Sequence, residues 1–72
     1  MPEAWPTAEV RRKVLRWFGE NGCVLPIANL PTFAQDLEMT IPEVRLVLRT
    51  MEDGNAVAAD AQRLNVQAVG CR

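Results

Sequence analysis

The stretch from Leu30 to Gly54, LPTFAQDLEMTIPEVRLVLRTMEDG, constrains this chain more than any other. It reads as two short helices separated by a tight turn, with alternating small and apolar residues behind them. The second of these helices has a marked start. Thr40 stands at the N-cap position and Glu43 three residues on, the pairing in which each side chain satisfies a free backbone N–H of the other. Pro42 falls in the first turn, where its missing N–H costs nothing. Glu38-Met39-Thr40 forms the turn, with Met39 as its apolar plug and without the glycine that such turns often carry.

Size limits what can surround this stretch. With 72 residues, 49% of them hydrophobic, the chain holds one domain and one modest core. No apolar run approaches the roughly 20 residues that span a bilayer, so no membrane partner is expected. The N-terminal MPEAWPTAEV lacks the basic and apolar regions of a signal peptide, which makes the cytoplasm the expected location. Cys23 and Cys71 are far apart in sequence and show no metal-ligand spacing. Free thiols are expected in a reducing cytosol, a Cys23–Cys71 disulfide being the alternative.

The first helix is predicted over about 8–21. Thr7 can cap it, and Gly22 supplies the left-handed residue that ends many helices. Val10, Val14, Trp17 and Phe18 recur at helical spacing as its inward stripe. Arg12, Lys13 and Arg16 share the other side with Glu9 and Glu20, and Glu9–Lys13 has the favourable i, i+4 order. An ion-paired solvated face is the plain reading, a phosphate contact from Arg11 or Arg12 the sharper one. Cys23-Val24-Leu25 is a brief extended segment stopped by Pro26. The second helix is predicted over about 31–38, capped by Asn29 or Thr32, with Phe33, Ala34 and Leu37 inward.

The third helix, about 41–53, carries the functional argument. At about 100° per residue, Val44, Val47, Leu48 and Met51 fall on the core side, while Arg45 and Arg49 stack one turn apart on the outside. Two arginines so placed can fork onto guanine edges or onto phosphates. A solvated face, with Arg49 favoured by the helix dipole, is the other account. Leu46 also points outward, toward a thymine methyl, a protein partner or nothing in particular. Beyond Gly54 the period changes to two. Segments within 56–69 read as a hairpin around Asp60-Ala61-Gln62, with Leu64, Val66 and Ala68 on one face and Arg63, Asn65 and Gln67 on the other. Gln62 and Arg63 stand at its tip, where an arginine can follow a phosphate track.

Helix, short strand, two helices around a turn, then hairpin: in this order the chain resembles the winged helix-turn-helix superfamily of DNA-binding domains. The residues that carry the resemblance are Phe33-Ala34, Leu37, Met39, Thr40, Val44, Leu48, Met51 and Glu52-Asp53-Gly54, and it covers about Thr7 to Val69. It implies a mainly α fold with a small β-hairpin (α+β), three helices and a wing. It further implies that Thr40, Pro42, Glu43, Arg45, Leu46 and Arg49 enter the major groove of double-stranded DNA, with Gln62 and Arg63 in the wing. A small transcriptional regulator is the expected function, acting as a homodimer or with a protein partner, since one helix reads only a few base pairs.

Two features pull against this expectation. Eight basic and nine acidic side chains leave a net charge of −1, whereas nucleic-acid domains are usually basic. The fold class also serves protein–protein interaction, in which Leu46, Leu15 and the Trp5 region would be the docking surface. An enzyme is not expected. The chain has no His, Tyr or Ser, no Gly-rich phosphate loop and no metal-ligand cluster, so neither cofactor nor metal is implied.

Overall fold

A computed structural model describes residues 5–71. Along the chain lie α1 (Ala8–Glu20), β1 (Val24–Pro26), a single 3₁₀ turn (Ile27–Asn29), α2 (Leu30–Asp36), α3 (Ile41–Asp53), β2 (Val57–Ala59) and β3 (Asn65–Ala68). The fold is therefore α+β, three helices against a three-stranded antiparallel sheet in the order β1-β3-β2. No helix among the described residues is long and apolar enough to cross a membrane.

Local chemistry fixes where each helix starts. Thr7 accepts the Val10 N–H at 3.3 Å and opens α1. At α3 both halves of the capping box form: Thr40 Oγ1 accepts the Glu43 N–H at 3.3 Å, and Glu43 Oε1 accepts the Thr40 N–H at 2.9 Å. The start of α2 differs from expectation. Asn29 occupies the N-cap position but makes no side-chain capping bond, because the 3₁₀ turn runs straight into the helix and the Leu30 N–H donates to the Ile27 carbonyl.

All three helices stop in the same way. Cys23 N–H reaches Phe18 O (2.7 Å), Met39 N–H reaches Ala34 O (2.9 Å) and Ala56 N–H reaches Met51 O (2.8 Å). Each is the six-to-one bond of a Schellman motif, which requires a left-handed residue just before the donor. Those residues are Gly22 (φ 77°), Glu38 (φ 56°) and Asn55 (φ 63°). Thus Glu38 does the work of the glycine missing from the turn. Its reversal ends α2 at Asp36, two residues short of the predicted 38.

The core has one aromatic centre. Phe18 and Phe33 are fully buried, and Trp17 lies edge-on to Phe33 with ring centroids 4.8 Å apart. The Trp17 indole N–H donates to Asp36 Oδ2 at 2.9 Å and so ties α1 to α2 at the rim of this cluster. Val44 and Val47 of α3, with Met51 nearly so, close the cluster from below, and Leu25, Val57 and Val66 bring the sheet onto it. No buried polar side chain interrupts the core among the described residues.

Register follows from that burial. Val66 stands between Leu25 on β1 and Ala59 on β2, and Gln67 between Val24 and Ala58. Val66 and Ala68 face the core as predicted, but Leu64 does not, being 58% exposed. It precedes β3 in the tip loop, where its N–H is held by Asp60 Oδ1 (2.8 Å) and its carbonyl by the Ile27 N–H (2.9 Å). Glu9 and Lys13 form no salt bridge; the one ion pair among the described residues joins Arg63 to Glu52.

The expectation of free thiols is corrected: Cys23 and Cys71 are disulfide-bonded, with Cα atoms 5.8 Å apart. Pairing of β1 with β3 carries two residues 48 apart in sequence to one end of the sheet, a proximity that sequence spacing does not reveal. Cys71 is thereby tied to the sheet, while Arg72 lies outside the described residues. Closing a loop of this length removes about 4 kcal/mol of entropy-derived stability from the unfolded chain. That is comparable with the roughly 5–15 kcal/mol by which small domains are stable at all.

Candidate nucleic-acid interface

Between α3 and the sheet runs an open groove of about 940 Å³. Its helical wall is built by periodicity. Once Val44, Val47, Leu48 and Met51 are buried, positions 45, 49, 52 and 53 must flank the opening. Ala58, Ala59 and Val66 line it from the sheet, with Ile27 and Leu30 also in its lining. Small side chains on β2 keep the groove wide.

Three arginines line this groove. Arg45 and Arg49 come from α3 and Arg63 from the hairpin. Arg63 takes up a left-handed backbone (φ 56°), and its N–H closes a turn onto the Asp60 carbonyl at 3.0 Å. Asp60 organises this loop. Its carboxylate accepts the Leu64 N–H and, at 3.1 Å, the Asn65 side-chain amide. These bonds, from Asn65 first and the Leu64 backbone next, hold the Asp60 carboxyl below its usual range.

So fixed, the tip directs Arg63 back toward α3, where Nη2 lies 3.2 Å from Glu52 Oε2. Arg63 thus stays exposed at the tip, beside α3. Both partners are exposed, so the bond is cheap to exchange for another anion. Arg45 and Arg49 form no salt bridge among the described residues. Against three arginines the groove sets Glu52 and Asp53, leaving one net positive charge. A local basic strip thus exists on a chain that is acidic as a whole.

The other predicted site residues do not line this groove. Thr40 and Glu43 are spent on each other in the capping box, and hydrogen bonds from Thr40, its backbone N–H foremost, hold the Glu43 carboxyl below its usual range. Pro42 is exposed at the start of α3. Leu46 is 51% exposed outside the groove, and Gln62 is exposed at the hairpin tip. Arg11 and Arg12 are exposed on α1 and contribute nothing to this surface. Glu52 and Asp53 went unrecognised as groove residues. Their signal was legible: Arg45, Arg49 and Asp53 are successive i, i+4 neighbours, and Glu52 is three beyond Arg49. Ile27 had no signal of its own, because its place depends on the pairing of β1 with β3.

Among the described residues, no group of three or more His, Cys, Asp or Glu side chains could hold a metal ion. Comparison with protein families, curated proteins and solved structures finds nothing that matches this chain. The functional reading therefore rests on the groove itself.

Proposed function

We propose that this chain is a winged helix-turn-helix domain that binds double-stranded DNA. In this reading α3, about 20 Å long, lies in the major groove and the β2–β3 hairpin acts as a wing. The observation that carries it is that Arg45, Arg49 and Arg63 line one open groove, with no ion pair on the two helical arginines among the described residues. The element order and the sheet order β1-β3-β2 support the same reading. Arg45 and Arg49 would contact base edges or phosphates, and Arg63 would exchange Glu52 for a phosphate. Thr40, Pro42 and Glu43 set the start of the helix, so any groove contact from them is secondary. Transcriptional regulation in the cytoplasm, through a homodimer or a protein partner that supplies a second half-site, follows from the small footprint of one helix. Catalysis forms no part of the proposal.

Leu46 favours a second reading, a protein-interaction module. It is exposed on α3 outside the basic groove, and Trp5 and Leu15 add exposed apolar surface elsewhere. Salt separates the two. Fluorescence anisotropy of a labelled random duplex, titrated at low and moderate salt, should give binding that weakens steeply as salt rises, by a logarithmic slope of about 0.9 per phosphate contacted. The Arg45→Ala/Arg49→Ala double variant should lose about tenfold or more at low salt and show a shallower slope. A folded wild-type protein that binds no duplex at low salt would refute DNA binding and leave the Leu46 surface.

A further inference from the structure

Cys23 and Cys71 stand where the sheet meets the rest of the chain. Cys23 comes between α1 and β1, and Cys71 follows β3 by three residues. Their bond encloses everything from β1 to β3, and with it every residue that lines the groove. Apart from the Cys23 N–H bond to Phe18 O, the Val69 N–H bond to Ala56 O at 3.0 Å and the packing of Cys71 on the core, the corner is held by short strands and single backbone bonds. The Ala68 N–H donates to the Cys23 carbonyl at 3.1 Å and the Cys71 N–H to the Ala68 carbonyl at 3.3 Å, while β1 brings only three residues to the sheet. Cys23 moreover holds φ 66° directly after Gly22 at φ 77°, a left-handed backbone that a side-chain-bearing residue adopts at a cost. Both cysteines are half-buried, within reach of a small thiol.

We propose that the Cys23–Cys71 bond is a redox gate on the fold: the oxidised chain holds the groove, and a dithiol reductant releases it. The chemistry is thiol–disulfide exchange. A reductant thiolate attacks one sulfur to form a mixed disulfide, and its second thiol then displaces the protein. Cys23 and Cys71 gain two electrons and two protons, and the reductant leaves as a cyclic disulfide. Oxidised glutathione reverses the step, accepting two electrons and departing as two molecules of glutathione. Under a reducing cytosolic poise the dithiol form is the resting one, so oxidation assembles the groove. The gate acts on the fold itself and stands whether or not the groove takes DNA.

Far-UV circular dichroism melts of the full chain, with and without dithiothreitol, test it. Under denaturing conditions the oxidised chain should show no titratable thiol and the reduced chain two. Reduction should lower Tm by more than about 15 °C, or unfold the chain at 25 °C. Oxidised glutathione should restore the melt. A Cys23→Ser/Cys71→Ser variant should match the reduced chain, folded or not, and ignore the reductant. A smaller fall in Tm, two titratable thiols in the air-oxidised chain, or a reduced chain that glutathione disulfide does not restore would each overturn the gate.

Discussion

The sheet has two ends, and they are held by opposite means. At one, Cys23 and Cys71 are joined covalently behind β1 and β3. At the other, the β2–β3 tip is held by the Asp60 carboxylate, its bonds to Leu64 and Asn65, and an exposed Arg63–Glu52 pair. The covalent end answers to reductant and is indifferent to salt screening. The polar end answers to pH and salt and ignores reductant. The tip also carries one of the groove arginines, so under the DNA reading the part of the sheet that would face the duplex is the part held by exposed polar bonds. If the proposed reading holds, stability and recognition fall to different ends of one sheet.

Variants can break this division. The largest effect should come from Cys23→Ser/Cys71→Ser, at about 4 kcal/mol by the loop-closure argument. Urea unfolding should show a lower midpoint and a larger m-value, because the freed denatured chain exposes more surface. Next comes Thr40→Ala, which removes the N-cap of α3 and should cost about 1 kcal/mol in the same assay. It touches neither end of the sheet, and so calibrates them.

Asp60→Ala should cost less than the cysteine pair and act locally. Amide hydrogen exchange at Leu64 and Asn65 should quicken while exchange at Leu25 holds. Acid gives the same result reversibly. The Asp60 carboxyl is held below its usual value of 3.8, so the stability it contributes is present above that value and is lost as pH falls through the lower folded-state value. A two-dimensional NMR titration from pH 5 downward should show the tip amides shifting before the core. Loss of the tip at neutral pH would contradict this assignment.

Glu52→Gln should have the smallest effect on stability, under about 1 kcal/mol, as befits an exposed pair. Under the DNA reading it should nevertheless tighten duplex binding and steepen its salt dependence, because Arg63 is released and a groove carboxylate removed. Unchanged binding would mean that Arg63 makes no contact with the duplex.

How far these features could be read from sequence depends on the range of the interactions behind them. The start of α3 at Ile41 was legible because Thr40 and Glu43 settle it within four residues, and its end at Asp53 because Gly54 follows. Two of the three groove arginines were legible too, since helical period places Arg45 and Arg49 opposite Val44, Val47 and Leu48. Glu38 was not, because nothing local announces that a glutamate will adopt φ 56°. Its conformation is imposed by the Met39 to Ala34 bond and by Met39 packing against the core. Arg63 was found as a tip residue, but its direction depends on Glu52, eleven positions away. The cysteine pair depends on the whole fold. Short-range chemistry marks helix ends and faces, whereas the groove's far wall and the staple exist only after β1 has met β3.

The strand order adds a consequence for how the chain comes into being. β3 sits between β1 and β2, yet it is the last of the three to be synthesised. Until Asn65–Ala68 leaves the ribosome, β1 and β2 have no partner in each other, and both expose free edges. The helices can dock during synthesis, but the sheet must wait for its centre. A nascent chain halted before residue 65 should therefore be helical, with β1 and β2 unpaired and dependent on chaperone protection, and the sheet should form only once residues 65–68 have been added.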